Sequence, residues 1–254
     1  SRSRHTRYPL VTGVQTCALP ISATASTLRE VAVHLGPQAW CMDVGSTKSD
    51  VVQAAAQTLG AALPRFVPAH PIAGKELAGV EHADAHLYEE RLVVLTPQAE
   101  TLTACTDHAR ALWSAVGARV EIMTAPAHDA AFAAVSHLPH VLAYAYMKGL
   151  MSQADGPEFL RLAGSGFRDF SRIAGSDPTV WRDILLSNSH AVLQQVAAFK
   201  DGLQAFESWI REGDGAALEQ AIANVAHERR RWKLSAHESS HASAQDAASP
   251  DAPE

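Results

Sequence analysis

The chain changes character near Pro126, and that change sets its fold class. From Ala23 to about Met123 short apolar runs alternate with stretches of helical period; after Pro126 the strand-like runs stop. The first pattern builds a layered α/β domain, and the second, with its sustained helical period, builds an all-α one. In the first half "TLREVAVHLG" reads as a helix ending at Gly36, and "AWCMDVG" as a buried strand stopping at Gly45. "SDVVQAAAQTLG" is the next helix, "RFVPAHP" the next strand, and "RLVVLTP" a strand ended by Pro97. A helix over 101–116 and the strand "ARVEIM" complete what reads as a parallel strand and helix repeat. In the second half "AHDAAFAAVSHLPHVLAYAYMKGLM" reads as one long helix, apolar nearly all round, suited to a bundle interior or a subunit interface. The last stretch, "AHESSHASAQDAASPDAPE", has no apolar face and reads as a disordered tail.

Composition narrows the function classes. With 254 residues, 47% of them hydrophobic, the chain can bury one large or two modest cores. A formal net charge of −6 leaves no basic footprint for nucleic acid. No apolar run approaches the ~20 residues needed to span a bilayer. The basic start "SRSRHTRYPL" lacks the apolar core of a signal peptide. Cys17, Cys41 and Cys105 are odd in number and have no metal-like spacing, which favours a reducing cytoplasm over a disulfide framework.

Candidate chemistry clusters at a few places. "DVGSTKSD" puts Ser46 and Lys48 just beyond a buried strand, where parallel sheets bind ligands; Ser46 is equally suited to cap the following helix. "HPIAG" places His70 at the next strand end, with Pro71 and Gly74 shaping the loop. "SHLPH" sets His137 and His140 three residues apart on a helical stretch. No carboxylate or Cys stands at ligand spacing beside them, so no metal site is assigned. Pro139 inside this run implies a local distortion, since an interior Pro costs roughly 3 kcal/mol. "GSGFRDFSRIAGSDPTVWRD" gathers Arg168, Arg172 and Arg182 with Asp169, Asp177 and Asp183, either as a solvated ion-paired face or as an Arg fork for a carboxylate.

Taken together, "DVGSTK", "HPIAGKELAGVEHA", "LYEERLVVLTP", the "HD" at His128, "SHLPH", "GFRDFSRIAGSDPTVWRDI" and Asn188 resemble the prephenate dehydrogenase family, in order and at family-like spacing, over roughly 23–235. The resemblance implies a partial Rossmann-type dinucleotide-binding domain followed by a helical dimerisation domain. It also implies NAD or NADP as cofactor, and oxidative decarboxylation of prephenate, or of arogenate, in tyrosine biosynthesis. By motif, His70 is expected to accept a hydrogen bond from the ring hydroxyl. Ser46 is expected to orient that hydroxyl beside the nicotinamide, which makes it both catalytic and cofactor-binding. Arg172 is expected to bind a substrate carboxylate, His140 and Ser136 to face the substrate, and Asp169 and Trp181 to brace the Arg172 loop. Inhibition by tyrosine and a homodimer follow from the same likeness. The loop "GSG" departs from the family in carrying Ser165 where glycine is common.

The opening residues depart much further. A family member is expected to begin with a strand, a G-x-G-x-x-G turn and a helix. Here "VTGVQTCALPI" instead resembles the translation of a sequencing-library adapter. The expectation is therefore that residues 1–21 are not natural protein, that 22–124 are the remaining part of the dinucleotide-binding domain, that 125–235 form the helical domain, and that 236–254 are the tail. The codons of the opening stretch test this. Two other readings are a non-catalytic helical dimerisation or tyrosine-binding module, and a β-hydroxyacid-type dehydrogenase; the His70 and Arg172 motifs argue against the latter.

Overall fold

In the computed structural model, residues 21–73 and 83–232 are described; "VTGVQTCALP", Gly74 and the C-terminal tail lie outside them. The chain divides into two compact units, with the division after Val196.

The first unit opens with α1 (Thr24–Ala32), which ends a turn before Gly36. Then come β1 (Cys41–Met42), α2 (Ser49–Thr58), β2 (Phe66–Val67) and β3 (Ala69–Pro71). They are followed by β4 (Leu92–Leu95), α3 (Thr103–Ala115) and β5 (Arg119–Ile122). Strand alternation divides the core into two layers. Phe66 and Cys41 pack with Leu28 of α1, Val51 and Ala55 of α2, and Leu59 just after it. Their neighbours Val67 and Met42 face the other way, onto Cys105, Ala109 and Trp113 of α3. This is the expected α/β layering.

Two details differ from the sequence expectation. The single strand expected over 65–71 is interrupted at Pro68, which has no N–H to give to a ladder. β1 and β2 form a parallel pair, whereas β3, β4 and β5 form a separate sheet in that order. The repeat is also not wholly parallel: β3 runs antiparallel to β4, with His70 opposite Val94, and only β4 and β5 are parallel. His70 therefore sits mid-strand in β3 and not at a strand end.

The helical part begins with α4 (Ala125–Phe132), capped by the Thr124 hydroxyl, which accepts from Ala127 N at 3.3 Å, with Pro126 in the first turn. A π-helical turn, Ala133–His137, joins it to α5 (Leu138–Met151). The local distortion expected at Pro139 is this turn. Pro139 falls in the first turn of α5, where a missing N–H matters least. The long apolar helix is less covered than its composition suggests: only Ala143 of α5 is fully buried, and Tyr146 and Met151 are exposed. Next come α6 (Gly156–Arg161) and α7 (Ser165–Ser171), so that "GSG" leads into a helix. α8 (Pro178–Ser187) starts at Asp177, whose carboxylate accepts from Thr179 N and Val180 N. α9 (Ser189–Glu212) begins in the first unit. The second unit holds the end of α9 and α10 (Gly215–Arg231), where Leu203, Ile210, Ile222 and Val225 are exposed. Among the described residues no helix is long and apolar enough to cross a membrane.

A buried ion pair between Asp43 and Lys48 joins the end of β1 to β3. Replacing Asp43 by Ala strands the Lys48 ammonium in the interior, and the expected loss is about 3 to 5 kcal/mol of unfolding free energy. Urea titration of wild type and Asp43→Ala measures it; an unchanged midpoint would sink the assignment.

Candidate active site

The turn after β1 is organised by Asp43. Its carboxylate accepts from Gly45 N at 2.8 Å and Ala69 N at 3.0 Å, and pairs with the Lys48 ammonium. Lys48 is wholly buried and also donates to the Ala69 carbonyl at 2.8 Å. One ion pair thus holds both backbone polar groups of Ala69, the residue preceding His70. Gly45 fits because a Cβ there would stand 3.0 Å from Asp43 Oδ2, tight against the carboxylate that its own N–H binds.

His70 then meets the helical part. Its Nδ1 lies 2.8 Å from His128 Nε2, and His128 Nδ1 lies 2.9 Å from Asp129 Oδ1. Phe132, one turn along α4, packs on both rings with centroids 4.9 Å from His70 and 4.5 Å from His128. The Asp129 carboxylate reaches across to the start of α2, accepting from Lys48 N at 2.9 Å and Ser49 N at 2.8 Å. The helix expected to be capped by Ser46 is therefore capped from 80 residues away. Ser46 stays half-buried in the turn.

A second group continues from the first. Asn188, at the end of α8, donates to the Asp129 carbonyl at 2.7 Å, and its amide lies 3.2 Å from His137 Nδ1. Although three residues apart, His137 and His140 have different surroundings. His137 is fully buried on Asn188, whereas His140 stacks on Trp181 with centroids 3.4 Å apart and planes 19° apart. His140 Nδ1 lies 2.9 Å from the Ser136 carbonyl, a backbone contact that fixes its ring. Tyr144 closes the aromatic group, 6.5 Å from Trp181. Among the described residues no three His, Cys, Asp or Glu side chains are grouped to hold a metal.

The electrostatics favour neutral imidazoles. Burial, followed by His128, Lys48 and His137, pushes His70 well below its ordinary value, with Asp129 pulling weakly the other way. Burial lowers His137 to about 4. Burial also lowers His140, with the Ser136 carbonyl opposing and Arg172 reinforcing. For Asp129 burial pulls upward, but the hydrogen bonds from His128, Ser49 and Lys48 outweigh it and hold the carboxyl at about 2.

Of the residues singled out by motif, His70, Ser136, His140 and Trp181 fall within these two linked groups. Arg172, exposed at the start of a 3-10 turn, is close enough to His140 to act on it electrostatically. Asp169 is exposed on α7 and accepts from Arg168 Nε at 3.3 Å. The motif reading gave no role to His128, Asp129, Asn188, Asp43 or Lys48. One available signal was an adjacent His–Asp pair in the middle of a helix otherwise made of Ala, Pro and Phe.

A sheet-borne histidine met by polar side chains of an all-helical region defines an α/β protein whose site is completed by helices that follow the sheet. Known proteins share this plan. Residues 13–122 match the nucleotide-binding domain of prephenate dehydrogenase, and residues 124–224 match its dimerization domain. The prephenate dehydrogenase of Lactococcus lactis is 35% identical over 208 residues, 80% of this chain and 56% of the relative. The cyclohexadienyl dehydrogenase of Zymomonas mobilis is 33% identical over 205 residues, 79% of this chain and 68% of the relative. Prephenate dehydrogenase of Aquifex aeolicus, solved with hydroxyphenyl propionate and NAD+, superposes with a TM-score of 0.78 at 34% identity, covering 84% of this chain and 73% of that one. The chain belongs to the prephenate dehydrogenase family. It spans 56% of the Lactococcus relative's length and 51% of that of a Bacillus subtilis prephenate dehydrogenase.

His137 gives this region a pH signature. Below pH 6.5 the unfolded chain takes up a proton that folded His137 refuses until about pH 4, so stability falls as pH drops through that window. The contribution is at most about 3 kcal/mol. Urea midpoints across this range should fall less steeply in His137→Gln than in wild type; equal slopes would contradict the assignment.

Proposed function

We propose that this chain carries the substrate-binding part of an enzyme that oxidatively decarboxylates prephenate to 4-hydroxyphenylpyruvate, with NAD or NADP as hydride acceptor. In this reading residues 22–124 belong to the dinucleotide-binding domain and 125–235 to the dimerisation domain. The observation that carries it is His70: an imidazole held neutral by burial, its Nδ1 engaged by His128, at the place where sheet and helices meet.

A neutral imidazole suits a substrate whose ring hydroxyl needs a hydrogen-bond acceptor while its carbon is oxidised. Loss of carbon dioxide makes the ring aromatic, so the protein's main tasks are to orient the hydroxyl and steady charge. Ser46, in the turn between Asp43 and Lys48, orients the hydroxyl. Arg172 offers a planar fork to a carboxylate, a geometry that Lys does not reproduce. His140, fixed by the Ser136 carbonyl and the Trp181 face, presents its remaining nitrogen to the substrate, and Asp169 supports the Arg172 turn.

The residues present suit the nicotinamide end of a dinucleotide. Ser46 offers a half-buried hydroxyl, and the adjoining Thr47 hydroxyl is buried with no partner among the described residues. No G-x-G-x-x-G run occurs in the sequence, so no residue here is assigned to the pyrophosphate. A dinucleotide held beside Ser46 and Thr47 would supply the hydride acceptor for the carbinol carbon. Tyrosine carries the same para-hydroxyphenyl group as the product and competes for the His70 site in this proposal. A second copy of the chain covers the apolar residues left exposed on α9 and α10, and the enzyme works in the cytoplasm.

Prephenate with NAD or NADP, supplied to the chain as it stands and to the chain joined to a relative's glycine-rich segment, tests the reading through the absorbance of reduced nicotinamide. Turnover in either supports it, and silence in both overturns it. In the active form, His70→Asn is expected to lower kcat by roughly 10²- to 10⁴-fold with little change in KM.

A further inference from the structure

We infer that Asp129 and His128 act as a tautomer lock on His70, leaving Nε2 as its hydrogen-bond-accepting nitrogen. The inference deepens the proposed function, for which His70 must present an acceptor to a hydroxyl group.

Asp129 is a carboxylate that already accepts from two backbone N–H groups at the start of α2, so its Oδ1 can only accept from His128 Nδ1. His128 therefore carries its proton on Nδ1 and shows a lone pair at Nε2. At 2.8 Å from that lone pair, His70 Nδ1 must be the donor, because two facing lone pairs would repel. The ring of His70 is left with an unprotonated Nε2. A charged His128 would reverse the last step by donating to His70 Nδ1, and the nitrogen shifts described below distinguish the two arrangements. Phe132 packs on both imidazoles and restricts their rotation. His128 and Asp129 are positioning residues here: they act on the substrate through His70. The arrangement follows the logic by which a buried carboxylate selects a catalytic imidazole's tautomer, with a second imidazole interposed.

The tautomer is measurable without substrate or cofactor. Nitrogen-15 chemical shifts of the histidine rings, correlated to their carbon-bound protons, distinguish a protonated Nδ1 from a protonated Nε2. The His70 signals are assigned by their loss in His70→Asn. In the wild-type chain near neutral pH, His70 and His128 should each show protonated Nδ1 and bare Nε2. In His128→Phe, which keeps an apolar ring against Phe132 and leaves Asp129 its two backbone donors, the His70 pattern should shift toward protonated Nε2. A protonated Nε2 on His70 in wild type, a doubly protonated His128, or a His70 pattern unchanged in His128→Phe would each overturn the inference. Should His128→Phe fail to fold, the wild-type spectrum alone still decides. The tautomer can differ from expectation while the prephenate assay succeeds, and the assay can fail while the tautomer is as stated, so the two ideas stand or fall separately.

Discussion

The Asp129 carboxylate is the interaction on which the rest of the site depends. It lies on the first helix after the sheet, yet three of its hydrogen bonds go to His128 and to the amides that open α2. A helix start leaves N–H groups without partners and carries partial positive charge, so an anion there is favoured. Burial works against that anion, and the donors more than repay the penalty, which is why its carboxyl remains ionised down to about pH 2. Without this carboxylate, two helix amides and one imidazole would lose their partner together. The same side chain therefore fixes where α4 sits against α2 and which imidazole edge faces His70.

The charges around it are distributed so that the histidines need not carry any. Lys48 is buried, but its ammonium is met by Asp43 and the Ala69 carbonyl, which leaves little reason for another cation nearby. His70, His137 and His140 are all held below their ordinary range, with burial as the largest cause in each case. A chemistry that needs a hydrogen-bond acceptor near neutral pH is served by such surroundings, whereas one that needs a standing imidazolium is not. Arg172 is an exposed cation close enough to His140 to help keep that imidazole below its ordinary range.

The layered first half and the helical second half were legible because period and turn residues report local structure. α3 lies within the 101–116 stretch expected for it, and β5 within "ARVEIM". Pairing was not legible. The antiparallel turn of β3 against β4 depends on where Pro68 interrupts the backbone and on which strand edge is free, and neither leaves a trace in hydrophobic period. The motif residues His140 and Trp181 could be singled out, but not their stacking, which joins α5 to α8 across 41 residues. Asp129 was missed for a physical reason: in one dimension it is a single acidic residue in the second turn of a mostly apolar helix, and nothing local says that its partners are amides 80 residues earlier. Its service to α2 exists only after folding.

The π-helical turn between α4 and α5 shows how one chain segment can serve two groups. In an unbroken α-helix, residues 137 and 140 would share a face and meet similar surroundings. Here Leu138 N bonds to the Ala133 carbonyl, five residues back, and Pro139 follows without an N–H to extend the regular ladder. The wider turn lets the apolar run continue while changing its phase, a deviation that recurs at functional sites. His137 is left inside, bonded to Asn188 beside the Asp129 carbonyl, and His140 lies against Trp181 close to Arg172. A proline that a propensity scale would count against the helix thus separates a histidine buried on Asn188 from one stacked on Trp181.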